Sequence, residues 1–123
     1  MLSLAVHQYS SFRNASFFKV NGADELTPAD YTVASGIFNL KYAVKEKEWL
    51  SYILQTLEHM NRCSKKGFAF NMLTTYSDKE LMQETLYYAD PLFLFDYCKK
   101  NFSKNIALLH DYYEYDFTIL VRK

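Results

Sequence analysis

The feature that most constrains the fold is a change of hydrophobic period near residue 40. The segment 30–38 (DYTVASGIF) carries an apolar run, which predicts a strand buried on both faces. The segment 44–62 instead places its apolar residues on one helical stripe behind a charged first turn, which predicts an amphipathic helix. The segment 67–73 (GFAFNML) then predicts another strand. Strands and helices that alternate in this way predict a mostly parallel sheet with helices on its faces.

Three further segments have helical signals. Apolar residues at helical spacing predict a helix over residues 2–12. Ser77 and Glu80 have capping-box spacing, which predicts a helix that begins there. Asp90 can cap a helix whose first position is Pro91, and this helix is predicted to run to about residue 102.

Three further segments have strand signals. A short aromatic and β-branched run predicts a strand over residues 15–20, which ends at a turn. Residues 105–110 and 116–122 predict two more strands, and the connection between them is too short for a helical crossover. We therefore expect the last two strands to be antiparallel neighbours in one α/β domain that spans residues 1–123.

Composition excludes several function classes. The chain has 14 Lys and Arg against 14 Asp and Glu, so no positive field would attract nucleic acid or acidic lipid. Cys63 and Cys98 are far apart and suggest neither a disulfide framework nor a zinc site, and no metal is expected. The N-terminus lacks a basic region and a long apolar run, and no segment approaches membrane-spanning length. A cytoplasmic protein with reduced thiols is expected.

Four blocks follow one another in a recognisable order: DYTVASGIFNL, then GFAFNMLT with YSD, then LYYADP, then LLHDYYEYDFTILVRK. Together they resemble the C-terminal part of a class I S-adenosylmethionine-dependent methyltransferase. The resemblance covers roughly residues 14–123 and implies part of a Rossmann-like sheet. It aligns residues 15–20, 31–37 and 67–73 with the family's third, fourth and fifth strands. The last two predicted strands align with the sixth and seventh.

The family's glycine-rich cofactor turn has no counterpart in this sequence. The only glycines are Gly22, Gly36 and Gly67, so no G-x-G pair lets the backbone approach the cofactor. The resemblance therefore implies that S-adenosylmethionine binds in the complete form, with binding by this chain alone doubtful. A truncated gene, a split enzyme and a remnant with another purpose remain alternatives.

The resemblance places candidate cofactor-binding residues after the first two aligned strands. Gly22, Ala23 and Asp24 resemble the segment that borders the adenine, although Asp24 is equally well explained as a solvated turn acid. Ser35, Gly36 and Ile37 resemble the segment under the methionine end, where glycine permits close approach.

The candidate substrate-binding residues follow three strands that end at the same edge. They are Phe38, Asn39, Asn71, Thr74, His110 and Asp111. Asn39 can hydrogen-bond substrate or cap the following helix. His110 beside Asp111 suggests a proton acceptor, but neighbouring strand residues point to opposite faces, and a packed histidine is the commoner case. No catalytic residue is assigned.

Two functions from different classes fit these observations. The first is the C-terminal part of a methyltransferase, inactive alone, which transfers a methyl group to a small-molecule or protein acceptor. The second is a non-catalytic interaction or dimerisation module, because an unpaired sheet edge invites pairing with another chain. The expected partner is accordingly a second copy of the chain or a separate N-terminal half.

Overall fold

The computed structural model describes residues 2–112 and 115–123, and it forms an α/β unit around a four-stranded sheet. The helices and strands are, in chain order, α1 (Leu2–Gln8), β1 (Ala29–Ala34), α2 (Glu46–Cys63), β2 (Ser64–Leu73), α3 (Pro91–Asn101), β3 (Asn105–Leu109) and β4 (Asp116–Arg122).

The sheet has the strand order β1-β2-β4-β3. The pair β1 and β2 is parallel, and β4 runs antiparallel to both β2 and β3. Three strands therefore point one way and the C-terminal strand points the other way. This arrangement confirms the predicted α/β sheet, mostly parallel with an antiparallel C-terminal strand.

Helix α2 forms where the apolar stripe predicts it, with both ends shifted by one or two residues. Its buried side chains Ile53, Leu57 and Met60 are at most 1% exposed and recur at spacings of three or four residues. Glu46 and Glu48 lie in its first turn, where carboxylates complement the helix dipole. The helix thus follows from a locally readable pattern.

Helix α3 begins at the predicted cap. The backbone N–H of Leu92 donates to Asp90 Oδ1 at 3.0 Å, and Pro91 occupies the first helical position. The helix ends at Asn101, one residue before the predicted end. Leu94 and Cys98, one turn apart, turn its buried face to the core.

Both helices pack on the same face of the sheet. The ring centroids of Phe68 and Phe102, at the end of α3, are 5.6 Å apart. The Phe70 ring lies 6.4 Å from that of Phe38, whose carbonyl accepts a hydrogen bond from Trp49 of α2. Phe68 and Phe70 are two residues apart and so point to one face. This helix-covered face contains the core.

The other face, here called the open face, carries no helix among the described residues. It is formed by the alternate strand positions, which include Tyr31, Val33, Ala69, Asn71, Leu109 and Leu120. Helices were expected on both faces of the sheet, but the described helices that pack on it, α2 and α3, lie on one face. Both crossovers, β1 to β2 and β2 to β3, run in the same direction along the sheet, and right-handed crossovers of one direction place their helices on one side.

Two N-terminal predictions are wrong in extent or type. Residues 15–20 form no strand, because they pair with no neighbour in a ladder, and Phe18 is 59% exposed. Helix α1 ends at Gln8 rather than Phe12, and none of its residues is buried. An aromatic run alone therefore does not make a strand here, since a strand needs a partner.

The capping-box helix after β2 is also wrong. Only a short 3-10 turn forms, at Lys79–Leu81. Ser77 Oγ donates to the carbonyl of Thr74 at 2.7 Å and caps no helix. The Ser77 hydroxyl therefore stabilises the turn that follows β2.

Cys63 and Cys98 are buried free thiols. Across residues 2–112 and 115–123, no group of three metal-binding side chains is present. No helix in the same part of the chain is long and apolar enough to cross a membrane.

Candidate functional site

The segments that follow β1, β2 and β3 lie at one edge of the sheet, because these three strands point the same way. This is the carboxyl edge, where open α/β sheets bind their ligands. Most of the candidate residues lie in these segments. The structure thus brings together residues that are up to about 75 positions apart in the sequence.

The loop after β1 is anchored to β2 through one side chain. Asn71 Oδ1 accepts a hydrogen bond from the backbone N–H of Gly36 at 2.7 Å, and Asn71 Nδ2 donates to Ser35 Oγ at 3.3 Å. Gly36 has a φ of 70°, a value that favours glycine. A Cβ built there would meet nothing within 4 Å, so the space beside this backbone is open. The loop is therefore fixed in position and approachable from outside.

A cleft of about 380 Å³ opens beside this loop. Gly22 and Ala23 line it from one side, and Ser35 and Ile37 line it from the other. Its base is formed by β1 and by α2, which contributes Met60. Segments that the sequence separates by about a dozen residues thus share one concave surface, as the predicted cofactor residues require.

Asp24 is exposed and lines a neighbouring cleft of about 400 Å³ with Gly22 and Ala23. That cleft also contains His59 and Gln55 of α2. A Cβ on Gly22 would lie only 2.7 Å from Asp24 Oδ1, so the carboxylate folds back over the glycine backbone. Asp24 therefore borders the first cleft without lining it.

Phe38 and Asn39 are tied into the structure. Phe38 is fully buried, and its carbonyl accepts a hydrogen bond from Trp49 Nε1 at 2.8 Å. Asn39 Oδ1 accepts from the backbone N–H of Leu73 at 3.2 Å, and its carbonyl accepts from Tyr87 at 2.9 Å. Helix α2 begins at Glu46 behind Lys45, so Asn39 does not act as its cap. Both residues therefore hold the carboxyl edge together from beneath its surface.

Thr74 and His110 form a pair at the ends of β2 and β3. Thr74 Oγ1 lies 2.9 Å from His110 Nε2 and also accepts from the backbone N–H of Tyr76 at 3.2 Å. The His110 ring lies between those of Tyr76 and Phe117, with centroids 5.7 Å and 6.0 Å away. Because a hydroxyl group can both donate and accept, Thr74 Oγ1 satisfies Nε2 in either tautomer of the ring.

Asp111 is exposed, and no hydrogen bond in the described residues joins it to His110. The partner of His110 is thus Thr74, which comes from another strand. The residue that faces His110 is set by strand pairing, which sequence neighbourhood does not reveal.

One tyrosine near this edge has a strong local partner. The Tyr115 hydroxyl donates to Asp78 Oδ2 at 2.6 Å. This hydrogen bond, followed by the charges of Asp78 and Glu80, raises the pKa of Tyr115. The segment after β2 is thereby tied to the start of β4.

The sequence interpretation missed a second concave surface at this edge. An open cavity of about 620 Å³ lies between residues 41–46 and 82–88. Its aromatic walls are Tyr42 and Tyr88. The tyrosine pair 87–88 was a visible signal, but nothing local indicated that Tyr42 would face it across 46 positions of sequence.

No family model matches the chain. A curated protein of Mycobacterium tuberculosis (strain ATCC 25618 / H37Rv), named "Putative methyltransferase Rv1506c", is 49% identical over 123 residues, which is all of this chain and 73% of that protein. The chain belongs to this methyltransferase family. The resemblance to a methyltransferase is thus confirmed.

Two solved structures share the fold of this methyltransferase chain. Both are magnesium protoporphyrin IX methyltransferase (ChlM) from Synechocystis PCC 6803, one with bound SAM and the other with bound SAH. They match 98% of the chain with TM-scores of 0.62 and 0.66 at 10% identity. The chain spans about half of their length, 52% and 57% respectively. At this identity the match establishes the fold alone.

Proposed function

We propose that this chain supplies one side of the active site of an S-adenosylmethionine-dependent methyltransferase, which transfers a methyl group to a small-molecule or protein acceptor. The single observation that carries the proposal is the cleft in which Gly22 and Ala23 meet Ser35 and Ile37 at the carboxyl edge of β1. The SAM and SAH bound in the two ChlM structures support the choice of cofactor.

The residues present fit part of this cofactor. The cleft has apolar walls for a flat base, which include Val20 and Leu26. Gly36 lies between the lining residues Ser35 and Ile37, and the space beside its backbone is open. The sequence contains no G-x-G turn that would hold the rest of the cofactor. The chain therefore accounts for one wall of a complete site, and we expect it to be inactive alone.

When bound, the cofactor supplies a methyl group on a positively charged sulfur. The chain's own residues would hold in place the loop and side chains around that methyl group. Asn71 fixes the loop at Gly36 through its 2.7 Å hydrogen bond. Thr74 fixes His110 through the 2.9 Å contact between Oγ1 and Nε2. Such positioning is the main contribution of protein groups to a two-substrate transfer.

The test is a titration of ¹⁵N-labelled chain with SAH, followed by NMR. We expect weak binding, with a Kd on the order of 1 mM, because only one wall of the site is present. Shifts should be confined to the amides of Gly22, Ala23 and residues 35–37. A matched assay should find no methyl transfer by the chain alone.

Gly36→Val is the informative variant, because valine disfavours a φ of 70° and would narrow the approach. Leu109→Ala, on the open face, is the matched control and should leave SAH binding unchanged. Shifts that map elsewhere, or no shifts at saturating SAH, would contradict the proposed site.

A second function is favoured by the free edge of the sheet. Among the described residues, strand β1 has a neighbour only on one side, and its open-face residues Tyr31 and Val33 are 65% and 74% exposed. Such an edge can pair with a second copy of the chain or with a separate N-terminal half. Sedimentation at a range of concentrations tests self-pairing, and a monomer at every concentration would count against it.

The proposed setting is the cytoplasm. Two buried thiols without a disulfide support it, because free cysteines persist in reducing compartments.

A further inference from the structure

The cavity that the sequence did not reveal lies between two chain segments, residues 41–46 and 82–88, and is here called the clasp cavity. Its volume of about 620 Å³ is in the range of small-molecule sites. It adjoins the carboxyl edge, because Asn39 bonds both to Leu73 at the end of β2 and to Tyr87 beside the cavity.

Specific hydrogen bonds hold the two segments together. The backbone N–H groups of Lys41 and Tyr42 both donate to the carbonyl of Thr85 at 3.0 Å. Lys41 Nζ donates to the carbonyl of Glu84 at 2.8 Å. Leu40 and Leu86 form an isolated bridge. The cavity is therefore preformed, and its walls would not have to be ordered when a ligand binds.

Tyr42 is held in an unfavourable backbone conformation at the mouth of the cavity. Its φ of 52° lies in the left-handed region, and it is the only described residue other than glycine with a positive φ. A bulky residue there costs about 1–3 kcal/mol, and such strain clusters at ligand sites. Glycine would relieve it, so the ring itself has a use that outweighs the strain. The ring is 66% exposed beside the cavity.

The walls select for a flat ring. Tyr42 and Tyr88 are both wall residues, and Met82 and Leu86 add apolar surface. Tyr88 Oη accepts a hydrogen bond from the backbone N–H of Gln83 at 2.9 Å, so its own proton can be donated to a ligand. Aromatic rings of this kind offer stacking area beside a polar tip.

The charged side chains of the clasp cavity favour a cationic ligand. Glu46 and Glu84 line the cavity with two carboxylates, against one ammonium group, that of Lys41. That ammonium group already bonds to the Glu84 carbonyl. A ligand with a positive charge would therefore be favoured over its negatively charged analogue.

We propose that the clasp cavity is the binding site for the methyl acceptor, and that the acceptor is a small aromatic compound whose side chain carries a positively charged amine. This inference rests on the proposed methyltransferase function, which it deepens by naming the class of acceptor. It assigns the acceptor-binding surface mainly to Tyr42, Tyr88 and Glu46.

The experiment compares two probes that share a phenol ring and differ in charge: tyramine, a cation, and 4-hydroxyphenylacetate, an anion. Each is titrated into the ¹⁵N-labelled full chain and followed by NMR. We expect tyramine to shift the amides of Tyr42, Ala43, Leu86 and Tyr88, and to bind about fivefold more tightly than the anion. No shift at these amides, or a preference for the anion, would overturn the proposal.

Two variants sharpen the result. Tyr42→Gly removes the ring and keeps a residue that adopts the same φ, so it should fold and bind tyramine about three- to tenfold more weakly. Glu46→Gln should reduce the preference for the cation. Tyr31→Ala, an exposed tyrosine on the open face, is the matched control and should change nothing. Unaltered tyramine binding by Tyr42→Gly would contradict the proposal.

The outcome is separable from that of the SAH titration, because the two experiments report on different amides. Tyramine binding without SAH binding would leave the clasp cavity supported and the cofactor site contradicted. SAH binding without tyramine binding would leave the cofactor site supported and the clasp cavity contradicted.

Discussion

The two faces of the sheet are built from alternating residues of the same strands, yet one is closed and the other is open. On the helix-covered face, Phe70 and Ile119 are 1% and 0% exposed. On the open face, Tyr31 and Val33 of β1 are 65% and 74% exposed. Both sets are apolar, so residue type does not distinguish them. The side on which the crossover helices pack decides which set becomes the core.

The strongest test of this comparison is truncation on each face. Phe70→Ala removes a buried ring beside Phe38, and it should lower the free energy of unfolding by about 3–5 kcal/mol. Val33→Ala, on the open face, should change it by less than about 0.5 kcal/mol. Urea unfolding measures both. Equal losses would mean that the open face is covered in solution.

Alkaline pH should weaken the helix-covered face through Cys98 on α3. Burial raises the pKa of this thiol from 9.0 to about 12. Between these values the folded chain holds a proton that the unfolded chain has lost, so stability should fall as pH rises above 9. The slope from one such group is at most about 1.4 kcal/mol per pH unit.

Cys98→Ala provides the control for this prediction. It should be less stable at neutral pH, because it leaves a gap in the core, and it should lose part of the alkaline slope. A residual slope should come from three tyrosines whose pKa is also raised. Burial is the first cause for Tyr87 and Tyr97, and the hydrogen bond to Asp78 is the first cause for Tyr115. An unchanged slope in Cys98→Ala would contradict the assignment. Urea unfolding between pH 8 and pH 11 gives the measurement.

The helix cap that positions α3 on the covered face should contribute less than the core. Asp90→Ala removes the acceptor for the Leu92 amide and should cost about 1 kcal/mol. Asp78→Ala is the matched control, because Asp78 precedes the 3-10 turn without a side-chain cap bond. Within residues 2–112 and 115–123, its side chain bonds only to the exposed Tyr115. Thermal unfolding of both variants should show the larger loss for Asp90.

The smallest effect on folding is expected for Val33→Lys at the free edge. Val33 is largely exposed, so the free energy of unfolding should change by less than about 0.5 kcal/mol. A lysine on an edge strand opposes pairing with another sheet. If β1 pairs with a second copy, this variant should be monomeric at concentrations where the parent chain is dimeric. Analytical ultracentrifugation distinguishes the two, and a dimer of the variant would exclude this edge as the interface.

The candidate site was predictable where it depends on the order of elements. The carboxyl-edge rule accounts for Ser35 and Ile37, which follow β1 and line one cleft with Gly22 and Ala23. It does not account for Gly22 and Ala23, because residues 15–20 form no strand for them to follow. It could not reveal that Phe38 is fully buried, because a residue after a strand can face either way. Nor could it pair His110 with Thr74, since that contact depends on strand register.

The sequence by itself determined α2, the Asp90 cap of α3 and the bounds of β4 at Asp116–Arg122, because periodicity, capping and apolar runs act over a few residues. Only the tertiary structure decided that residues 15–20 remain outside the sheet, that both crossover helices share one face, and that Tyr42 faces Tyr88 across the clasp cavity. Each of these depends on which distant segment is available as a partner. Local propensity carries no information about such a partner, because pairing and packing energies arise only when the chain has folded.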